Sequence, residues 1–191
     1  MNEPVTALTD YALAAVCAVL GCRLGNHSRF WMLAFLALGL AAVLGGTWHG
    51  FRQSDALWKA TTLSVGVASF GMVVGSARAT TAGRLQRLLV AFATAKLAAY
   101  AAWMTFHDEF IWVVLDTGIA LLAVGLLHVR PFNGWMLGGV TASVIAGLAQ
   151  ASGLALHAHF NHNDLYHVLQ AGAMLLLYRG VRKTRAPLST V

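Results

Sequence analysis

Seven mostly apolar runs, each about as long as a bilayer is thick, leave this chain few folds to adopt. A membrane helix needs about 20 predominantly apolar residues, with a range near 17 to 25. The runs fall at approximately 5–22, 30–49, 57–77, 86–106, 110–127, 132–156 and 162–179, joined by short connectors. They are too long, and too evenly apolar, for barrel strands, which alternate with period two. Of the 191 residues, 58% are hydrophobic and 10% charged. A water-soluble domain carries about 25% charged residues, so this chain lacks the side chains to cover a soluble surface. The expected fold is all-α: a single polytopic domain over residues 1–191 with seven transmembrane helices.

The basic residues give a direction. Counted from an N-terminus outside, the inner connectors hold Arg23, Arg29, Arg78, Arg84, Arg87, Arg130, Arg179, Arg182, Lys183 and Arg185, while the outer ones hold Arg52 and Lys59. Such an excess of Lys and Arg marks the cytoplasmic side, which predicts the N-terminus outside and the C-terminus inside. The start "MNEPVTALTDYALAAVCAVLGC" lacks a positive n-region and a small-residue cleavage site, so it reads as the first span and not as a secretory signal. The net charge of +6 arises in short connectors and not on a basic face with interleaved aromatics, so nucleic acid is not an expected partner. Membrane lipid is the expected environment, and a bacterial inner membrane the expected location. Cys17 and Cys22 sit on one span and suggest neither a disulfide framework nor a metal knuckle.

Within this apolar frame, polar chemistry concentrates at the outer boundary. The stretch "HAHFNHNDLYHVLQAG" brings His157, His159, His162 and His167 together with Asn163 and Asp164 at the start of the last span. The second span ends in "GGTWHGF", delivering His49 to the same depth, and Glu3 and Asp10 lie on the outward part of the first. Neutral imidazole is a frequent zinc ligand, and a catalytic zinc takes three protein ligands with one position left for water. His49 and His167 are the leading ligands, with the third among Asp164, His162 and His159. On a helix, Asp164 shares a side with His167, whereas His162 is about 140° away at 3.6 residues per turn. His162 therefore joins only if the helix starts after it. The plainer reading of Asn163–Asp164 is an N-cap and a charge at the positive end of a helix. His27 and His128 read as boundary histidines, and His107 stands apart beside Asp108 and Glu109.

These residues carry a resemblance. Seven spans, an acidic start, a histidine closing span 2 and a histidine-rich start to span 7 resemble the CREST superfamily of membrane hydrolases, which includes alkaline ceramidases and the adiponectin/progestin-type receptors. In "NDLYHVLQAG", Tyr166 and His167 are similar to the aromatic and second histidine of that group's H-x-x-x-H. The resemblance implies a zinc-dependent hydrolase of a lipid amide or ester, with calcium held by carboxylates such as Glu3 and Asp10. A proton-moving carboxylate, Asp55 or Asp164, completes the implied catalytic set. The chain departs from the group's pattern at Asn163, which stands where the first histidine falls, and at Gly45, which replaces a serine four residues before His49. At the start of span 3 it offers Asp55 and Lys59 in place of one aspartate.

A second polar feature lies deeper. Lys96 in span 4 and Asp116 in span 5 are both expected about ten to twelve positions from the connecting turn, and so near the midplane. A charge at the bilayer centre costs about 2.5–3.5 kcal/mol on insertion scales, so such residues pair and often mark function. Gly71 and Gly75 have GxxxG spacing, which lets helices approach closely in lipid. Ser143, Gln150, Ser152 and Gln170 either line a cavity or bond across helices. The alternative function is a non-catalytic receptor or lipid-binding protein with a structural metal, and a small transporter ranks third.

Overall fold

The computed structural model describes residues 3–51, 53–157 and 159–184. Arg52 and Arg185, two of the charges used above to orient the chain, lie outside the described residues. The chain forms seven α-helices: α1 (Pro4–Leu24), α2 (Arg29–Gly50), α3 (Asp55–Thr80), α4 (Gly83–Met104), α5 (Phe110–Val129), α6 (Gly134–Ala151) and α7 (His162–Lys183). There is no β-sheet among the described residues; a lone bridge joins His157 to Phe160. Six helices, α1 to α6, are long and apolar enough to cross a membrane. The seventh matches them in length, but its first turns hold His162, Asn163, Asp164 and His167, and its last hold Arg179, Arg182 and Lys183.

Short connectors make successive helices antiparallel, so the bundle has two ends. Glu3, Asp55, Asp108, Glu109 and Asp164 gather at one, here termed the acidic end. Arg23, Arg29, Arg78, Arg84, Arg130 and Lys183 gather at the other, the basic end. Helices α1, α2, α3, α5, α6 and α7 pack in a closed ring, each against the next and α7 against α1. Helix α4 lies outside the ring, packed on α3 and touching α5 only lightly. Trp31 and Phe35 from α2, Val73 and Val74 from α3, Val124 from α5, Met136 from α6 and Leu177 from α7 fill the centre. Leu40, Leu122, Leu148 and Leu175 stay exposed on the outer faces. In lipid, apolar outer faces are the expected arrangement, because helix association there rests on close packing and not on expelling water.

Glycine makes that close packing possible. A Cβ at Gly71 would come 2.7 Å from the Phe30 carbonyl oxygen, and one at Gly75 would come 2.6 Å from the Trp31 ring. The GxxxG pair is thus the surface on which α2 crosses α3. Gly180 does the same for α6 and α7, its Cβ position lying 2.8 Å from the Met136 backbone nitrogen.

Helix ends differ from the expected spans in explicable ways. Ser54 caps α3, its Oγ accepting from Leu57 N at 3.3 Å, so that helix begins at Asp55. Helix α6 stops at Ala151 and not near residue 156, because Gly153 takes a left-handed conformation (φ +68°). That is a common way for a helix to end. The apolar residues 154–156 that follow belong to the loop. Helix α7 continues to Lys183, past the expected 179, because a basic last turn suits the negative end of a helix.

Candidate functional site at the acidic end

The polar residues of α1 repeat as Glu3, Thr6 and Asp10, the spacing of one helix face. That face meets α2 and α7. Gly46 makes room for it: a Cβ there would lie 2.9 Å from the Asp10 Cβ, whereas one at Gly45 would be in ordinary contact, 3.6 Å from both Asp10 carboxylate oxygens. The departure at Gly45 is therefore not forced by space, whereas Gly46 is required by the close approach of Asp10.

Two imidazole–carboxylate pairs follow. His167 Nε2 lies 3.1 Å from Asp10 Oδ1, and both side chains are over nine-tenths buried. His49 Nδ1 lies 2.9 Å from Glu3 Oε2 in a more open position. This second pair is close but not aligned as a hydrogen bond, so His49 Nδ1 and Glu3 Oε2 remain buried without hydrogen-bond partners, as does Asp10 Oδ2. The Thr9 hydroxyl stands 3.0 Å from His167 Nδ1, 3.0 Å from the Thr6 carbonyl oxygen and 3.4 Å from Asp164 Oδ1. Its single proton serves one of these at a time. Tyr11 and Thr47 join α1 to α2 nearby, with their hydroxyl oxygens 3.1 Å apart.

Asp164 follows the plainer reading. Asn161 is the N-cap of α7, and its Oδ1 accepts from Asn163 N at 2.8 Å and Asp164 N at 3.2 Å. Asp164 Oδ2 accepts from Asn161 N at 2.7 Å, completing a capping box.

Several expected members stand apart from this cluster. Helix α7 begins at His162 and not after it, so His162 and His167 share one helix about 140° apart. His162 therefore does not join His167. His159 is exposed on the loop, beside His157. Asp55 is exposed in the first turn of α3, and the polar contacts of the cluster come from α1, α2 and α7, with α3 contributing none. Glu3 and Asp10 are seven residues apart, about 10 Å along the helix, and each faces a different histidine. They do not form one calcium site, which takes six to eight oxygens at about 2.3–2.6 Å.

The fit to zinc can be judged from the donors. Two imidazoles, two carboxylates and three partnerless buried atoms suit a divalent ion in kind. In position they form two pairs: no three His, Cys, Asp or Glu side chains among the described residues group so as to hold a metal ion.

Elsewhere, Lys96 Nζ contacts the Asp116 carboxylate and lies 3.2 Å from its carbonyl oxygen. Lys96 is eight residues from the end of α4 and Asp116 six from the start of α5. The pair is therefore about 9–12 Å from the acidic end, shallower than the midplane. Lys59 pairs with Asp108 at 2.7 Å. Gln170 bonds to Ser143 and Gln150 to Asn163, tying α6 to α7. His107 stacks on Trp103. His128 lies in the last turn of α5, at the bundle's basic boundary, and is fully buried there, with Nε2 3.3 Å from Ser76 Oγ.

A model of a family of unknown function, DUF6962, matches residues 5–186. The chain belongs to that family. All seven helices fall essentially within the matched region, so the bundle and its polar cluster are features of one family unit. No curated protein and no solved structure matches the chain.

Thr6, Thr9 and Asn161 are members of the cluster that the histidine spacing did not indicate. The signal for the threonines lay in α1 itself, where Glu3, Thr6 and Asp10 form a polar stripe on an apolar helix.

Proposed function

We propose that this chain is a membrane hydrolase acting on an amide or ester of a membrane lipid, with the His167–Asp10–Thr9 cluster as its reaction centre. The reading is supported chiefly by one observation: a buried imidazole held between a buried carboxylate and a hydroxyl, at the end of an apolar bundle. In this role His167 and Asp10 take a proton from the attacking water and return it to the leaving amine or alcohol. General acid–base work of this kind contributes about 10²–10⁴-fold. Thr9 fixes the imidazole, and Gly46 lets α2 pack closely beside Asp10. Zinc suits these donors in kind but not in position, since the imidazoles and carboxylates stand as two separate pairs, so the proposed chemistry rests on the chain's own residues.

The same proposal takes α7 as a seventh span, the acidic end as external and the basic end as cytoplasmic. The distribution of Lys and Arg supports this orientation, and a bacterial inner membrane is the matching location.

The test is hydrolysis of fluorogenic lipid amides and esters in vesicles, alongside metal content by elemental mass spectrometry. Asp10→Asn and the His49→Ala/His167→Ala double variant are expected to lose at least a hundredfold in rate while remaining folded. One zinc per chain, absent from the double variant, would add the metal to the mechanism. Unchanged hydrolysis in both variants, or none in the native protein across the panel, would overturn the hydrolase reading.

A second reading is favoured by a specific observation. Both ring nitrogens of His167 already have protein neighbours, as a structural clasp between α1 and α7 requires. On that reading the protein is a non-catalytic receptor or lipid-binding bundle, and the same substitutions lower its stability without any activity to lose.

A further inference from the structure

The basic end holds a feature that the reading above does not use. A cleft of about 820 Å³ opens among the ends of α3, α5 and α7 and the start of α6, with His128, Asn133, Trp135, Lys183 and Thr184 in its lining. A smaller cleft of about 190 Å³, which includes Arg29 and Arg78, adjoins it, and both share Ala79 and Thr184. All seven acidic residues of the chain are Glu3, Asp10, Asp55, Asp108, Glu109, Asp116 and Asp164, and none belongs to this end. Among the described residues the cations here therefore have no carboxylate side chain to pair with. Some rest on aromatic faces instead: the Arg78 guanidinium carbon is 4.5 Å from the Phe30 ring centroid, and Arg179 and Lys183 sit over Trp135 at 4.9 and 5.6 Å.

An excess of cations at one end is a general property of membrane bundles and does not by itself make a site. Two further observations single out this cleft. His128 lines it although the residue is fully buried; its Nε2 faces Ser76, and its Nδ1 has no partner. A buried polar atom without a partner is costly, and a neutral imidazole whose Nε2 accepts from Ser76 presents Nδ1–H as a donor. The second observation is the 18-residue helix α6, which starts at the cleft wall. Asn133 caps it through Met136 N at 3.2 Å and is itself anchored to α7 through the Gly180 carbonyl at 2.9 Å. The first amides of the helix, at Gly134 and Trp135, have no intrahelical acceptor. Free amides at a helix N-terminus, the positive end of its dipole, form an anion site.

We propose that this cleft binds a phosphate group. The N-terminal amides of α6 and His128 Nδ1 act as neutral donors, and Lys183 and Arg179 supply charge. The group belongs either to a lipid headgroup or to a soluble phosphate compound. Exposed Phe132 and the Trp135 ring give the cleft an apolar wall, which suits an amphiphile.

The test uses the full chain in neutral detergent. Native mass spectrometry measures binding of phosphatidic acid and phosphatidylglycerol against phosphatidylcholine, and ³¹P line broadening measures binding of inorganic phosphate. Saturable binding is expected, weakened at least fivefold by Lys183→Gln and by His128→Leu. The Arg84→Gln/Arg87→Gln pair on α4, outside the cleft, should change it less than twofold. Should His128→Leu fail to fold, Arg179→Gln/Lys183→Gln carries the test. Saturation by inorganic phosphate with no lipid preference assigns a soluble ligand; saturation by the anionic lipids alone assigns a headgroup. Equal weakening by Arg84→Gln/Arg87→Gln, or no saturable binding of either probe, overturns the site.

Discussion

Replacing Lys96 by methionine should destabilise the bundle by about 3 kcal/mol, and replacing Asp116 as well should restore most of the loss. The Lys96 and Asp116 side chains are 10% and 3% exposed, and Asp116 Oδ2 already lacks a partner. Without the lysine, the carboxylate becomes a buried charge with no counter-ion, for which the cost is about 3–5 kcal/mol. The pair lies near one end of its helices, which favours the low figure. At about 1.4 kcal/mol per decade, the folding equilibrium shifts by roughly a hundredfold. Asp116→Leu should cost less, about 2 kcal/mol, because the backbone carbonyl that also receives Lys96 remains and a lysine can extend its amine toward water. The double variant puts two apolar side chains in contact and should return to within about 1 kcal/mol of the native protein. Unfolding in mixed micelles of increasing sodium dodecyl sulfate, followed by tryptophan fluorescence, gives the cycle directly. Additive single effects, or a Lys96→Met loss below about 1 kcal/mol, would show that the pair is not a buried unit.

Two further outcomes follow from the packing. Gly71→Ala should cost about 1–3 kcal/mol, because its methyl would press on the Phe30 carbonyl, whereas Gly147→Ala, with open space at that position, should be neutral or stabilise by about 0.5–1 kcal/mol; the same micelle titration separates them. Asn161→Ala should cost about 0.5–2 kcal/mol and, by releasing the first turn of α7, raise hydrogen exchange at Asn163 and Asp164 selectively.

Much of this architecture is legible in the sequence because lipid allows so few backbone arrangements. Every backbone group must be satisfied within the helix, so run length alone locates seven helices. Their ends depend on single residues, as at Ser54 and Gly153, and apolarity does not report these. The site is harder to read for a related reason. Histidines stand out in an apolar chain, so His49 and His167 are easy to find, but their partners are set by how α1 is rotated. That rotation depends on the close approach at Gly46, which shows in sequence only as the absence of a side chain. Proximity to His167 offers Asp164 as a ligand, yet Asn161 engages its Oδ2 and its backbone nitrogen locally, which leaves Oδ1 alone for a distant contact, to Thr9.

Helix α4 has one more consequence for the chain's path. Trp58 lies beside Phe110 at the acidic end, while Ser76 meets His128 at the basic end. Helices α3 and α5 are therefore side by side and point the same way. Parallel neighbours cannot be joined by a tight turn; parallel β-strands meet the same constraint and need a crossover, usually a helix. Helix α4 is that crossover, a return stroke that carries the chain back to the acidic end. Deleting it as a unit would reverse every later helix and deliver the α7 histidines to the wrong end of the bundle.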